Sequence, residues 1–278
     1  MATADFSRIS ANIGALNALN SLRNVNKNLA MHQERLATGK RINNSGDDPA
    51  GLTIANKLNA RSEGLKTALN NIADAKNLLS VADSGLSKIN SILTNMRNLA
   101  QSGVSDTLGA DERQALADQL TSYATQIDDI VGETKWNNVQ LLSNSNSLTF
   151  QTGADSTDTT TFSAVNGLTS GDLSVNTTLS SASTGTNFQS FMDNVDSAID
   201  TVSQKMSSVG ALINRLGFKE EQLAVAQVNV EASFNRIMNA DMAMEQLEST
   251  KFSILQQTSI TMLSQANSAP QGVLQLFR

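Results

Sequence analysis

The sequence predicts a mainly α fold: a long antiparallel coiled-coil-like helical bundle whose N- and C-terminal helices pair, with a small β-hairpin subdomain in the middle. Three observations carry it. Apolar residues recur at every seventh position from Leu58 to Ala100 and again from Phe188 to Met244. The 278 residues include only two prolines and 4% aromatics, so helix breakers are scarce and side chains are small enough for close packing. Between the two repeats the helical period disappears and Ser, Thr, Asn, Asp and Gly dominate.

The first seam runs Leu58, Leu65, Ile72, Leu79, Leu86, Leu93 and Ala100, with Ala68, Ala75, Ala82, Ile89 and Met96 interleaved. A 3.5-residue repeat places one apolar stripe along a helix and requires another helix to cover it. At 1.5 Å per residue that segment spans roughly 65 Å. The second seam runs Phe188, Val195, Val202, Val209, Leu216, Leu223, Val230, Ile237 and Met244. A shorter helix is expected after Ala110, where Leu116, Leu120, Tyr123, Ile127 and Ile130 alternate spacings of four and three. Three helices can then share one core.

The stretch from Asn137 to about Asn187 lacks Lys and Arg between Lys135 and Lys205. Within it, Leu148-Thr-Phe150-Gln-Thr-Gly153 and Thr160-Thr-Phe162-Ser-Ala164 alternate about a Gly/Asp/Ser turn, which predicts a β-hairpin. This insert is expected at the distal, solvent-facing end, with a disordered linker as the alternative.

The N-terminal helix pattern of Leu22, Val25, Leu29 and Leu36 breaks at Arg35–Leu52. Gly39 suits a left-handed stop, and Asp48 before Pro49 is a cap with proline in the first helical position. These signals divide the chain into 1–45, an N-terminal inner-core helix and turn; 46–142 and 188–240, the two parts of an outer helical core; 143–187, a short variable hairpin region; and 241–278, a C-terminal inner-core helix.

Both ends share one property: no residue is charged between Arg8 and Arg23 or between Lys251 and Arg278. A helix with a solvated face normally carries charge there. The C-terminal stretch also puts apolar residues on several faces, Leu247 and Ile254 on one and Phe252, Leu255 and Met262 on another. Its amides and hydroxyls would lack partners in lipid. Burial between protein subunits answers both facts, so the candidate inter-subunit residues are Ile13, Leu16, Leu19, Ile254, Leu255, Met262, Leu263, Leu274, Leu276 and Phe277.

Other function classes find little support. A net charge of -6 without a basic cluster argues against nucleic-acid partners. No run approaches 18 consecutive apolar residues, so no membrane insertion is expected, and the N-terminus shows no cleavable leader. With no cysteine and a single histidine, His32, no metal site or cofactor is expected; His32 falls at the open position between Leu29 and Leu36 and is expected to set helix register. No nucleophile elbow or phosphate loop is present, so no catalytic residue is expected. The acid pairs Asp47-Asp48, Asp128-Asp129 and Glu220-Glu221 are expected to be solvated helix faces.

Several motifs resemble bacterial flagellin. They are Leu36-Ala-Thr-Gly-Lys-Arg-Ile-Asn with Asp47-Asp48-Pro-Ala-Gly-Leu-Thr-Ile54, Thr134-Lys-Trp-Asn-Asn-Val-Gln-Leu-Leu142, Phe150-Gln-Thr-Gly-Ala-Asp155, Gly210-Ala-Leu-Ile-Asn-Arg-Leu216 and Ala266-Asn-Ser-Ala-Pro-Gln-Gly-Val-Leu274. The resemblance implies a homopolymeric, extracellular flagellar filament subunit for swimming motility, exported unfolded through the type III export apparatus without signal cleavage. It also implies an export chaperone, a filament cap and junction proteins as partners, other flagellins as additional ones, and an inner tube built from the terminal helices. The rival readings are a hook-filament junction protein and, from another class, a membrane-surface amphipathic helical protein. The latter requires basic residues flanking its apolar face, which the uncharged ends lack.

Overall fold

The computed structural model describes residues 12–143, 147–163, 165–176 and 179–276, the last eight of them by backbone alone. The elements in order are α1 (Ile13–Thr38), α2 (Pro49–Gly103), α3 (Ala110–Glu133), β1 (Lys135–Trp136), β2 (Val139–Gln140), β3 (Leu148–Gln151), β4 (Thr159–Phe162), α4 (Gly185–Met238) and α5 (Met242–Leu276). The chain divides into a terminal unit, Met1–Ala60 with Val230–Arg278, and a central unit, Arg61–Asn229. Helices α2 and α4 contribute to both. The fold is mainly α, with α1 packed on α5 and a small antiparallel hairpin between the long helices.

In the central unit, the interleaved heptad positions of α2 form the core. Leu65, Ala68, Ile72, Ala75, Leu79, Ala82, Leu86, Ile89, Leu93, Met96 and Ala100 are all buried. From α4, Phe188, Phe191, Val195, Ala198, Val202, Val209, Leu216 and Leu223 are buried too. The buried stripe of α3 is Ala117, Leu120, Ala124, Ile127 and Val131, while Leu116, Tyr123 and Ile130 are half-buried. Of the residues read from the sequence as the α3 stripe, Leu120 and Ile127 are in its centre with Ala117, Ala124 and Val131, while Leu116, Tyr123 and Ile130 form its flank. Small residues such as Ala117 and Ala124 let a neighbouring surface approach the helix axis closely.

The same closeness explains Gly103. A Cβ there would overlap the Phe188 ring, and one on Gly185 would press on the Val104 carbonyl. Helix α4 is preceded by Thr184, whose backbone N–H and hydroxyl both donate to Asn187 Oδ1, at 2.8 and 2.7 Å. Asn187 so reaches back to the cap in the manner of a capping box.

The expected hairpin exists: β3 pairs antiparallel with β4, Leu148 opposite Phe162 and Gln151 opposite Thr159. The 143–187 insert is exposed over much of its length, yet Phe162, Val165, Leu168, Leu173, Val175 and Leu179 are buried. Ser170 donates from its backbone and its hydroxyl to the two carboxylate oxygens of Asp128, both at 2.7 Å, tying the insert to α3. The backbone N–H of Ser181 donates to Gln114 on the same helix. A polar composition concealed a sparse set of anchors that bury in loop conformation, where no period announces them.

A second, smaller hairpin follows α3. Lys135–Trp136 pairs with Val139–Gln140 through Asn137 and Asn138, which have φ of 46° and 66°. Two consecutive positive-φ residues between strands fit the type I′ hairpin turn that asparagine tolerates.

In the terminal unit, α1 ends at Gly39, φ 69°, whose N–H donates to the Arg35 carbonyl at 2.8 Å. The chain then runs beside the end of α4. Arg41 N–H donates to the Met238 carbonyl at 2.7 Å, its guanidinium donates to the Ile237 carbonyl at 2.9 Å, and Ala240 N–H donates to the Gly39 carbonyl at 3.0 Å. Ile42, Ala55 and Met238 form a small core covered by Leu52, Phe234 and Ile237. Asp47 Oδ2 accepts from the N–H groups of Asn43 and Asn44, both at 3.0 Å, and Asp48 Oδ1 caps α2 through Gly51 N–H at 2.8 Å.

The second seam needs a correction here. Helix α4 stops at Met238, and Asp241 caps a new helix by accepting from Ala243 and Met244 N–H. Met244 therefore lies on α5, where it is 59% exposed, and does not continue the stripe. Leu58, Val230 and Ile237 are half-buried members of the terminal unit.

Candidate functional site

The terminal helices α1 and α5 pack on each other through a polar-bordered seam. Asn12 caps α1 by accepting from Ala15 N–H at 3.0 Å and donates from Nδ2 to the Ala266 carbonyl at 2.7 Å. Gln256 donates to the Asn26 side chain at 2.8 Å. Farther along, His32 Nδ1 lies 2.5 Å from Glu245 Oε2, and Arg35 donates to the other carboxylate oxygen at 3.4 Å. The imidazole also stacks on Phe252, with ring centroids 5.3 Å apart. His32 and Glu245 are both buried. Glu245 lies in the first turn of α5, where a carboxylate also suits the helix dipole.

Asp47, Asp128, Asp129 and Glu221 of the acid pairs are exposed, and at least one member of each pair also holds a structural partner. Asp47 and Asp48 hold the loop and cap, Asp128 holds Ser170, and Glu220 Oε2 accepts from Lys76 at 2.8 Å. Among the described residues no group of three or more His, Cys, Asp or Glu side chains is placed to hold a metal, and no helix is long and apolar enough to cross a membrane.

The α1–α5 pair leaves several large apolar residues uncovered among polar ones. Ile13, Leu16, Ile254, Leu255 and Met262 are exposed by 50, 58, 60, 39 and 64%. Leu19 and Leu263 are half-buried. The side chains of Leu274 and Leu276, and Phe277 altogether, lie outside the described residues.

The structure adds Met242, Met244, Leu247 and Ile260 to the exposed apolar surface. At 100° per residue, Met244, Leu247, Ile254, Leu255 and Met262 share one side of α5, while Met242 and Ile260 share the opposite side. The α1-facing stripe of Glu245, Phe252, Gln256 and Leu263 runs between them. Phe252 thus departs from the face that the sequence reading assigned it with Leu255 and Met262. A cleft of about 360 Å³ lies along the seam, lined by Gly14, Asn17, Ala18 and Ser21 of α1 and Leu255, Thr258, Ser259 and Met262 of α5. Met242 and Ile260 are isolated among Gln246, Ser249, Ser253 and Gln257, and Glu248 and Lys251 lie on the first side, but from Ile254 to Met262 that side is apolar and uncharged and so suited to burial by other chains.

Residues 9–147 match the bacterial flagellin N-terminal helical region, and residues 192–277 match the bacterial flagellin C-terminal helical region. The chain belongs to the bacterial flagellin family. This flagellin is 37% identical over 270 residues to a flagellin of Halalkalibacterium halodurans, covering 95% of its own length and 98% of the relative's. Its fold is similar to the crystal structure of Bacillus cereus flagellin, with a TM-score of 0.50 at 24% identity over 55% of this chain and 88% of that one. It is also similar in fold to a Vibrio parahaemolyticus protein provisionally assigned as flagellar hook-associated, with a TM-score of 0.57 at 17% identity over 69% of this chain and 100% of that one. The second likeness is one of fold alone. The sequence relationship is to filament proteins, and this flagellin is a structural subunit of the flagellar filament.

Proposed function

We propose that the subunit polymerises by burying the exposed apolar residues of the α1–α5 pair against neighbouring copies. One observation carries the reading: Ile13, Leu16, Ile254 and Met262 are each at least half exposed, and no residue is charged between Arg8 and Arg23 or between Lys251 and Arg278. Burying an aliphatic side chain of this size contributes about 1.5–3 kcal/mol. A handful of such residues on each subunit offsets the ordering cost of assembly.

On this reading the segments 1–45 and 241–278 form the inner layer, 46–142 and 188–240 the outer one, and 143–187 the variable part. The candidate residues Leu274, Leu276 and Phe277 belong to the same uncharged C-terminal stretch of the sequence. An exposed apolar surface of this kind also needs cover before assembly, which agrees with an export chaperone holding the C-terminal helix. Passage through the type III export apparatus, addition beneath a filament cap, attachment through junction proteins and an extracellular location complete the proposal. The chain acts as a building element, not as an enzyme.

Deletion of Gln271–Arg278 and the substitution Met262→Asp test the reading. Both are expected to abolish filaments after seeding, as seen by electron microscopy, with far-UV circular dichroism of the monomer retained. Filaments of normal length from either variant would refute it.

A further inference from the structure

In the central unit, a separate cleft of about 320 Å³ opens between β4 and α4. Phe162, Val165 and Leu212 give it an apolar floor, Ser208 adds a hydroxyl, and Lys205 and Arg215 flank it. Ten residues apart on one helix, the two cations are separated by about 15 Å along the axis.

Their electrostatic setting is unusual for this chain. Net charge is -6, yet α4 carries no acid between Asp200 and Lys219. Arg61, Arg97 and Arg113 of the same unit each face a carboxylate, that of Asp155, Asp196 and Asp106 respectively. Arg215 and Lys205 form no ion pair and no side-chain hydrogen bond among the described residues. Strand β4 pairs only with β3, so among the described strands its second edge is unused.

We propose that this cleft docks an extended acidic peptide segment of a partner protein. Two carboxylates spaced by three or four extended residues, at roughly 3.3 Å each, reach both cations. An apolar residue between them meets Phe162 and Leu212, and the free edge of β4 offers backbone hydrogen bonds, as in strand addition. A single small anion uses only one end of such a site. The proposal is independent of the assembly surface on α1 and α5.

Fluorescence anisotropy of a fluorescein-labelled Asp-Val-Thr-Val-Asp peptide, titrated with the full-length monomer at low salt, tests it. Saturable binding that weakens as salt is raised is expected. Lys205→Ala and Arg215→Ala are each expected to weaken binding by about threefold to tenfold, and the control Lys219→Ala to leave it unchanged. Amide chemical-shift changes on the unaltered chain are expected to concentrate in β4 and in residues 205–215. Absence of saturable binding, equal binding of the Asn-Val-Thr-Val-Asn peptide, or an equal loss in Lys219→Ala overturns the proposal.

Discussion

His32 and Glu245 meet at 2.5 Å across the α1–α5 seam, and among the described residues of this helix pair Glu245 is the buried carboxylate. Arg35 donates to the second oxygen and Phe252 covers the imidazole face. The arrangement fixes both register and rotation of α5 against α1, because sliding either helix by one residue separates donor from acceptor. It works as a buried polar position does in a coiled coil.

Replacing His32 by Ala removes that partner and the ring stacked on Phe252, leaving Glu245 with Arg35 alone. The terminal unit is expected to lose about 1–3 kcal/mol, the range for a buried acceptor deprived of its donor. Proteolysis within α1 and α5 should accelerate while residues 61–229 stay resistant. Unchanged cleavage of α1 would show that the pair contributes nothing.

Gly103 tolerates no side chain, since a Cβ there overlaps the fully buried Phe188 ring. Gly103→Ala gains helix propensity yet is expected to destabilise the central unit by about 1–3 kcal/mol through overpacking. Phe188→Leu in the same chain should recover part of the loss, as measured by urea unfolding.

Two leucine-sized residues make a direct comparison of core and assembly surface. Leu79 is fully buried, and Leu79→Ala is expected to cost about 2–5 kcal/mol of folding stability. Ile254 is 60% exposed, and Ile254→Ala should change monomer stability by less than about 0.5 kcal/mol. Its effect should appear instead as a raised critical concentration for polymerisation, read by sedimentation.

The loop joining α1 to α2 has its own pH dependence. Hydrogen bonds from the backbone N–H groups of Asn44 and then Asn43 hold the Asp47 carboxyl below its ordinary value. A lowered folded-state pKa means the unfolded chain binds the proton more readily, so this stabilisation is present above the ordinary carboxylate range and fades as pH falls through it. Hydrogen exchange at Asn43 and Asn44 is therefore expected to lose protection on acidification beyond the intrinsic pH trend. Asp47→Asn should show no such added loss.

Much of the molecule was legible before any coordinates. A seven-residue apolar period is a property of the chain itself, so Leu65 to Ala100 and Phe188 to Leu223 announced long helices and their buried side. Gly39 and Asp48-Pro49 announced a stop and a restart, since left-handed φ and capping depend on local chemistry. The seven-residue period runs on to Met244 by coincidence across the helix break at Asn239-Ala240-Asp241, where Asp241 caps α5.

The missing charges from Ile9 to Leu22 and from Phe252 to Phe277 were equally plain in the sequence, and they marked the ends as unlike ordinary surface helices. Which side of each end remains open was decided only by tertiary packing. Composition cannot distinguish Leu263, half-covered by α1, from Met262 beside it at 64% exposure. Nor could it assign Asp128 to Ser170, or His32 to Glu245, partners that lie 42 and 213 positions apart. Periodicity records how one helix divides into faces; which neighbour covers a face depends on contacts distant in the chain, and those exist only once the helices have packed.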